Sequence, residues 1–597
     1  MITRKSTTSN RRTRSTRTMP FLATLFATAL AGSPVQAADP VPTTLPDAET
    51  VTITSLRENR PDGDTALLEV RYPKGHALPD TVTLQIGGRP AVLKRDPQMR
   101  EAFAGTLGFD FDAFVAEQKR RREIAASISK TPVFHGREII DQLPVAFLDP
   151  ERLSRDIGAH KPVRVPAEVV AGIASLTSAE RSLMVIHPDV VEDPDRTFDA
   201  CTRRGDPNGA WTFNRLMTDM ANEPLTGVQP ADFVEQWLKG WLVHQVVNTF
   251  DIDKRLLMAD LVLDTWPRDG SGRLDLKQSP MRLLAIVNRV DLRGNLVYGG
   301  GDAGEGRFVF GVMQRHRDGN CSEMPFTVIL EYGVPIEGCR EVQEYGMRWH
   351  DLDALVLGSA AYNTALQDLT DIFASANAAP SKPNGSAINQ VRTNENALNR
   401  TWELREFNVG AASNQLETVS TKLTPHRATY NPHPLPHTST LQADFVNSNA
   451  PAVLLDSHDV TPMFLGQPFL TGASLNPNTS PAAAWIHPGI FDNDARHHFS
   501  LNACDACHGS ETSTRFLHVE PRSMGVPAGL SRFLTGSPGS VASPGTFTMP
   551  DPVSAVPRTF GDLLHRQADL DALVNLDCRA GAVTGGLFKA RSDAMTH

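Results

Sequence analysis

The sequence predicts a multidomain α+β protein, and three observations lead to this class. The chain of 597 residues is longer than a single hydrophobic core organises. Strand-like runs dominate near the N-terminus, and helical periodicity mixes with strand-like runs in the middle. An amphipathic helical pattern ends the C-terminal part. We therefore expect a β-sandwich-like module at 45–112, a central α+β domain with an antiparallel sheet at 130–375, a linker and β-hairpin region at 376–484, and a mainly helical module at 485–580.

Residues 1–37 are typical of a secretory signal peptide. Six basic residues and no acidic residue come with an apolar run, Pro20 to Gly32, and Val35-Gln36-Ala37 places small residues before a cleavage at Ala38. We expect a periplasmic or secreted protein with no transmembrane anchor after cleavage. An uncleaved anchor is the alternative, although the apolar run is short for a membrane span.

The charge of the mature chain restricts its partners. Removing the six basic residues of the signal changes the net charge from −10 to about −16 (−10 minus 6). An acidic surface argues against nucleic acid as a partner and suits a basic redox partner.

The N-terminal module is predicted from short runs with turn residues between them. Val51-Thr52-Ile53, Ala66 to Tyr72 and Val82 to Ile86 are rich in strand-forming residues, and Pro61-Asp62-Gly63 and Gly87-Gly88 provide the turns. The pattern resembles a small β-sandwich of the immunoglobulin-like type. Such modules usually hold or space other domains, and we expect no chemistry here.

The central domain is predicted from helices placed before and after several strands. Helical spacing recurs over Phe213 to Met220 and over Phe233 to Val246, and a further helix is expected from about Leu352 to Ala374. The strand-like runs are Leu261 to Leu263, Leu283 to Val287, Arg307 to Val312 and Phe326 to Tyr332. Strands that follow one another in sequence favour an antiparallel sheet.

The region at 376–484 is predicted to begin as a linker. Residues 375–400 are rich in Asn, Ala, Ser and Pro, which favours loop structure. Two strands are expected beyond it, at Trp402 to Val409 and Leu416 to Leu423.

The C-terminal part contains Cys504-Asp505-Ala506-Cys507-His508, the C-x-x-C-H pattern. Two thiols at this spacing can each add to one vinyl group of the same porphyrin. The histidine that follows then lies under the iron and can bind it through a ring nitrogen.

This stretch resembles the haem-attachment site of c-type cytochromes. The resemblance covers about fifteen residues, and it implies one covalent haem c held by Cys504 and Cys507, with His508 as the proximal axial ligand. A C-terminal amphipathic helix, expected from Pro557 to Leu576, is also found in small c-type cytochromes. The glycine and aromatic residue that such cytochromes carry before the first cysteine are not matched, since Phe499 is displaced by one residue and the glycine is absent.

The second axial ligand has two candidates. His518 lies in the apolar segment Phe516 to Val519 and is preferred. Met549-Pro550 resembles the methionine site of small soluble cytochromes and is the alternative. Methionine ligation would raise the reduction potential relative to two histidines.

Three functional hypotheses follow from these residues. The first is electron transfer through a single covalent haem, with a donor and acceptor (a redox protein or a small molecule) that the sequence does not name. The second is a haem-dependent, peroxidase-like oxidoreductase, although di-haem peroxidases carry two attachment motifs. The third is an exported binding or structural protein in which Cys504, Cys507 and nearby histidines hold zinc. A small redox disulfide between Cys504 and Cys507 is a further alternative.

The remaining cysteines, Cys201, Cys321, Cys339 and Cys578, are even in number, which suggests two disulfides in an oxidising compartment. Cys321 and Cys339 flank a β-rich run and are expected to pair. The pair Cys201 and Cys578 then follows by elimination.

Overall fold

The structure is a computed structural model. It describes the strand segments 50–56, 65–71, 81–86, 89–95, 102–108 and 163–165, the ranges 177–293, 303–432, 437–454, 456–476 and 484–574, and Cys578. The predicted signal peptide lies outside these residues. No helix in the described ranges is both long and apolar enough to cross a bilayer.

The N-terminal module contains a six-stranded antiparallel sheet with the strand order β3-β4-β5-β2-β1-β6. Its strands are β1 (Thr50–Leu56), β2 (Thr65–Arg71), β3 (Thr81–Ile86), β4 (Arg89–Arg95), β5 (Ala102–Gly108) and β6 (Val163–Val165). The three strands predicted here are confirmed, whereas the two-sheet packing of a sandwich stays a prediction. The last strand comes from well beyond residue 112 and pairs with β1.

A second antiparallel sheet of eight strands forms the centre of the protein, in the order β17-β16-β15-β14-β13-β12-β7 with β20 also paired to β16. Its strands are β7 (Met184–Val185), β12 (Met281–Arg289), β13 (Glu305–Arg315), β14 (Cys321–Gly333), β15 (Ile388–Glu395), β16 (Trp402–Val409), β17 (Leu416–Val419) and β20 (Ser474–Asn476). The predicted antiparallel α+β architecture is therefore confirmed.

The predicted linker is wrong at β15, which pairs with β14 on one side and β16 on the other. Its polar residues predict a loop when the sequence is considered alone, because their ion-pair partners lie outside this stretch of the chain. Arg392, for example, pairs with Glu331 and Glu406. The central sheet thus continues past residue 375 to β20.

Helices and small hairpins surround the sheet. The helices up to residue 454 are α1 (Ala179–Ser182), α2 (Pro188–Val191), α3 (Phe213–Ala221), α4 (Glu223–Thr226), α5 (Pro230–Lys239), α6 (Cys339–Asp351), α7 (Ala360–Ala374), α8 (Arg427–Tyr430), α9 (Leu441–Ser448) and α10 (Ala450–Leu454). Three two-stranded hairpins are β8–β9 (Phe198–Asp199, Arg204–Gly205), β10–β11 (Gln245–Val247, Phe250–Ile252) and β18–β19 (Met463–Phe464, Gln467–Pro468). Short 3-10 turns occupy Gly240–Leu242, Leu276–Gln278, Val290–Leu292 and Leu352–Ala354.

Two local predictions in this part need correction. The run Leu261 to Leu263 belongs to a π-helical turn, Ala259–Leu263, and not to a strand. A short apolar run does not distinguish a strand from a buried helical turn, and here Val262 and Leu263 pack into the core. The helix expected from Leu352 begins only at Ala360, after Ser359, whose hydroxyl caps it.

The two faces of the central sheet differ in chemistry, since successive residues of a strand point to opposite sides. On one face Phe308, Phe310 and Tyr332 join an apolar core that includes Trp237 and Trp241. On the other face, buried arginines and carboxylates alternate along β13 to β16. The contacts there are Arg307 with Glu305 (2.6 Å) and Glu331 (3.4 Å), and Arg392 with Glu331 (3.2 Å) and Glu406 (3.1 Å). The C-terminal segment packs over this charged face.

The C-terminal segment shares its core with the central sheet. Its helices are α11 (Asn493–Asn502), α12 (Cys504–Cys507), α13 (Arg532–Thr535) and α14 (Asp562–Val574), and its hairpins are β21–β22 (Val519–Glu520, Gly529–Leu530) and β23–β24 (Phe547–Pro550, Pro557–Phe560). Leu501, Phe533 and Leu570 belong to the same apolar cluster as the sheet. The predicted C-terminal helix is present but begins after β24. Loops and hairpins make up most of the segment, so its expected mainly helical character is not what the described residues show.

The disulfide prediction is wrong in both pairs. Cys201 pairs with Cys321, and Cys339 pairs with Cys578. Cys321 begins β14, a strand of 13 residues, while Cys339 lies beyond its far end. At about 3.3 Å per residue the strand is roughly 40 Å long, and Cys339 follows its end by six residues, too few for the chain to return to Cys321. Two disulfides indicate an oxidising compartment.

Candidate functional site

The C-x-x-C-H residues lie on one helical turn. After α11 the chain is extended at Ala503 and then forms α12, and the His508 amide donates to the Cys504 carbonyl (2.9 Å). This turn brings Cys504 and Cys507 to the same side of the helix. All three side chains are buried, with relative exposures of 0%, 0% and 2% for Cys504, Cys507 and His508.

Neither motif cysteine takes part in a disulfide. Burial raises the pKa of Cys504 to about 12 and raises that of Cys507 well above its usual value. Cys504 packs against Trp402, Leu404 and Phe516. Neutral thiols in apolar surroundings are poor nucleophiles, which does not favour a redox disulfide.

His508 is oriented by two neighbours. Its Nδ1 atom lies 2.6 Å from the Phe516 carbonyl oxygen, so Nδ1 carries the hydrogen and Nε2 carries the lone pair. Its ring stacks on Trp402 with centroids 5.0 Å apart. Burial lowers the pKa of His508 to about 4, which keeps the imidazole neutral and able to act as a metal ligand near pH 7.

His518, the preferred second ligand, lies beside His508, with ring centroids 4.5 Å apart. Its Nδ1 atom is 2.7 Å from Ser531 Oγ, and its Nε2 atom is 3.5 Å from Cys507 Sγ. The structure thus brings together the four residues Cys504, Cys507, His508 and His518. Met549 lies on β23 opposite Arg558 and is not among the residues that line the cavity next to the two histidines.

That cavity has a volume of about 50 Å³ and separates the histidines from the charged face of the sheet. Three arginines line it, Arg289, Arg307 and Arg566. Arg566 is almost fully buried and pairs with Asp562 (2.9 Å), and burial together with nearby Arg289 lowers its pKa to about 10.

The side chains are of the types that covalent haem requires, but the two histidines lie too close together for a porphyrin between them. Two thiols, a neutral histidine with a fixed tautomer and a second histidine are a suitable donor set. Cavities that hold cofactors typically measure about 300 Å³ or more, so His508 and His518 would have to move apart to accept a porphyrin.

No family model, curated protein or solved structure matches this chain. The chemistry of the site must therefore be argued from its own residues.

The zinc alternative receives no support from the geometry. Ligands of a tetrahedral zinc lie about 2.0–2.3 Å from the ion, so their ligand atoms lie within about 4 Å of one another. Across the described ranges, one trio of His, Cys, Asp and Glu side chains has ligand atoms within 4.8 Å of each other, and it is His497, Glu511 and Asp551. The motif cysteines and histidines do not form such a group.

The trio of His497, Glu511 and Asp551 is better explained as an ion-pair network. Arg496 lies 2.9 Å from Glu511 and 2.8 Å from Asp551, and Arg558 lies 2.9 Å from Asp551. Burial alone would raise the pKa of Glu511, but Arg496 and His497 outweigh it and lower the value to about 2. Both carboxylates are therefore already paired with guanidinium groups. The network holds α11, the helix that precedes the motif, in place.

Sequence reasoning missed the residues that hold the motif in place. Asp505, between the cysteines, accepts from Trp485 Nε1 (3.0 Å) and forms an ion pair with Arg427. Asn476, at the end of β20, donates to the Asp505 carbonyl (2.9 Å). The sequence shows a carboxylate, Asp505, between the two cysteines, and this could have indicated a buried ion pair. Its partner Arg427 could not be identified, because it is distant in sequence.

One buried histidine outside the site leads to a prediction about acid stability. His458 is 2% exposed, neither ring nitrogen has a hydrogen-bond partner among the described residues, and burial together with nearby His498 lowers its pKa to about 3. Below about pH 6.5 this histidine is protonated in the unfolded chain but stays neutral in the folded chain. The free energy of unfolding therefore decreases by about 1.4 kcal/mol for each unit by which the pH is lowered, down to about pH 3. His458→Phe should remove this loss.

The test is urea unfolding at pH 7 and pH 5. Between pH 7 and pH 5 the parent should lose about 2 kcal/mol more unfolding free energy than His458→Phe does. His244→Phe, at a side chain that is 52% exposed, is the control. An identical pH dependence in the parent and His458→Phe would contradict the prediction.

Proposed function

We propose that this protein is an exported c-type haem protein that transfers electrons through one covalently bound haem. The observation that carries the proposal is the arrangement of the motif: two free thiols share a helical turn, and the histidine after them has its Nδ1 on a carbonyl and a second buried histidine beside it. The two disulfides support export to an oxidising compartment such as the periplasm.

Each residue of the site has a stated role in this proposal. Cys504 and Cys507 would hold the porphyrin covalently, and His508 and His518 would be the ligands of its iron. The haem itself supplies one-electron chemistry. Trp402 and the sheet exclude water from His508, and a buried site away from water disfavours additional positive charge, which would raise the reduction potential.

The proposal is tested by a pyridine haemochrome spectrum on protein produced in a host that attaches haem c. A c-type α-band that persists after denaturation and acid–acetone extraction supports it. Colourless protein from such a host, with stoichiometric zinc, would replace it with the metal-stabilised binding protein.

Replacement of His518 should change the spin state of the iron, whereas replacement of Met549 should not. His518→Ala removes the histidine beside His508 and leaves a coordination position for water, so the native spectrum should become high-spin and the reduced protein should bind carbon monoxide. Met549→Ala is the matched control, because this side chain lies outside the cavity.

The reverse outcome would reassign the ligand. A methionine–iron band in the parent that Met549→Ala abolishes, with an unchanged spectrum in His518→Ala, would make Met549 the second ligand. Rapid peroxide turnover by the unmodified protein would show an open iron and favour the peroxidase-like alternative.

A further inference from the structure

A second cavity, of about 230 Å³, lies where the β8–β9 hairpin, β12 and the segment after β21 meet. It is larger than the cavity beside the histidines and is lined by different residues. None of the four residues of the proposed electron-transfer site lines it.

Arg522 is the polar residue that points to a ligand. Its side chain is 4% exposed, and its Nη atoms are engaged with Glu192 and the Leu283 carbonyl (3.1 Å). Its Nε atom is buried and has no hydrogen-bond partner among the described residues. An unsatisfied buried guanidinium donor is costly, and an acceptor bound in the cavity would remove that cost.

The charges that line the cavity have an excess of one positive charge. Arg204, Arg282 and Arg522 face two acids, Glu192 and Asp199. Arg282 is already paired with Asp199 (2.7 Å) and Arg522 with Glu192, so the excess charge is that of Arg204, which is exposed. Glu323 approaches Arg282 at 3.6 Å but is 38% exposed and does not line the cavity. The unpartnered Nε–H of Arg522 can donate one charge-assisted hydrogen bond to a carboxylate oxygen.

Part of the remaining wall is apolar. Trp211 and Phe310, each 1% exposed, line the cavity together with Met281 and Met524. The volume lies below the roughly 300–1,000 Å³ of pockets for drug-sized ligands, so a ligand with a single ring fits best.

We propose that this cavity binds a small organic monocarboxylate, with its apolar body against Trp211 and Phe310 and its carboxylate on Arg522. Binding in itself does not depend on the haem.

The position of the cavity suggests what bound carboxylate would do, and this part rests on the proposed electron transfer. Arg522 follows His518 by four residues, and Leu283 in the cavity wall precedes Val287 in the haem-site wall by four. Along β12 that is about 13 Å at 3.3 Å per residue. A redox-active carboxylate at Arg522 would therefore lie against the same strand as the histidine site, where it could act as an electron donor or acceptor for the proposed haem.

The test is calorimetric titration of the full chain with benzoate and with benzyl alcohol, which has nearly the same size and no charge. We expect benzoate to bind at least tenfold more tightly, and Arg522→Gln to remove that preference. Because Arg522 also holds the segment after β21, Met524→Trp is a second variant: it fills the cavity without removing Arg522 and should weaken both ligands. Arg268→Gln, at an exposed arginine paired with Glu235 outside the cavity, is the control and should bind normally.

Equal affinity for the two compounds, or benzoate binding that neither variant changes, would overturn the proposal. So would the absence of benzoate binding at about 1 mM, a threshold of roughly −4 kcal/mol. The readout is heat and not absorbance, so protein that lacks haem still tests this cavity, and failure of one proposal does not imply failure of the other.

Discussion

Replacement of Cys504 and Cys507 by alanine is expected to abolish covalently bound haem completely. Each thioether bond needs one of these thiols, and no other cysteine is free, because the remaining four are paired in disulfides. Haem staining of a denaturing gel should show signal in the parent and none in the double variant. Intact-mass measurement should show the loss of one haem.

The matched control removes the same residue type elsewhere. Cys201→Ala with Cys321→Ala deletes a disulfide and should retain the stain, because attachment needs only the motif. Haem stain in the variant that lacks Cys504 and Cys507 would show that the haem is held in another way or belongs to another protein.

Removal of the disulfide between Cys339 and Cys578 should cost about 5 kcal/mol of unfolding free energy. The bridge spans 239 residues and therefore restricts the unfolded chain strongly; the loop-entropy estimate for that length is about 5 kcal/mol. It also connects the start of α6 to the residue beyond α14, two helices packed so closely that a Cβ on Gly346 would lie 2.8 Å from Leu573. Urea unfolding of Cys339→Ser with Cys578→Ser measures the loss.

Single replacements test the pairing itself. In Cys339→Ser, thiol labelling followed by peptide mapping should find Cys578 newly reactive and the Cys201–Cys321 bridge intact. A reactive Cys321 in that variant would restore the pairing expected from sequence and contradict the structure. The second bridge spans 120 residues and should contribute about 0.6 kcal/mol less, since loop entropy changes slowly with length.

The fold was predictable where local sequence decides the structure. The strands β12, β13 and β14 each contain a short apolar run, and α3 repeats its apolar residues at helical spacing. The strand β15 was not predictable in this way, because Arg392 and Asn394 are polar and yet buried. Their burial depends on Glu331, Glu406 and Trp402, which only the folded sheet brings near.

In the candidate site, too, some residues could be identified from local sequence and others only from the fold. Five consecutive residues identified Cys504, Cys507 and His508 as candidates, and His518, chosen from a short apolar segment, lies beside His508. The stacking of Trp402 on His508 and the pairing of Arg427 with Asp505 involve residues distant in sequence. The disulfides were mispaired for a related reason, since sequence proximity gave no information about the length of β14.

The complete burial of Cys504 and Cys507 sets an order of events during biogenesis. The thiols lie between α12 and the central sheet, and the cavity beside them holds only about 50 Å³. An attachment enzyme acting on the folded chain would find neither sulfur at the surface. If haem is attached as proposed, the modification would therefore have to precede the docking of the last hundred or so residues. Maturation would then be a competition between attachment and folding, and a chain that folded first would no longer offer its thiols.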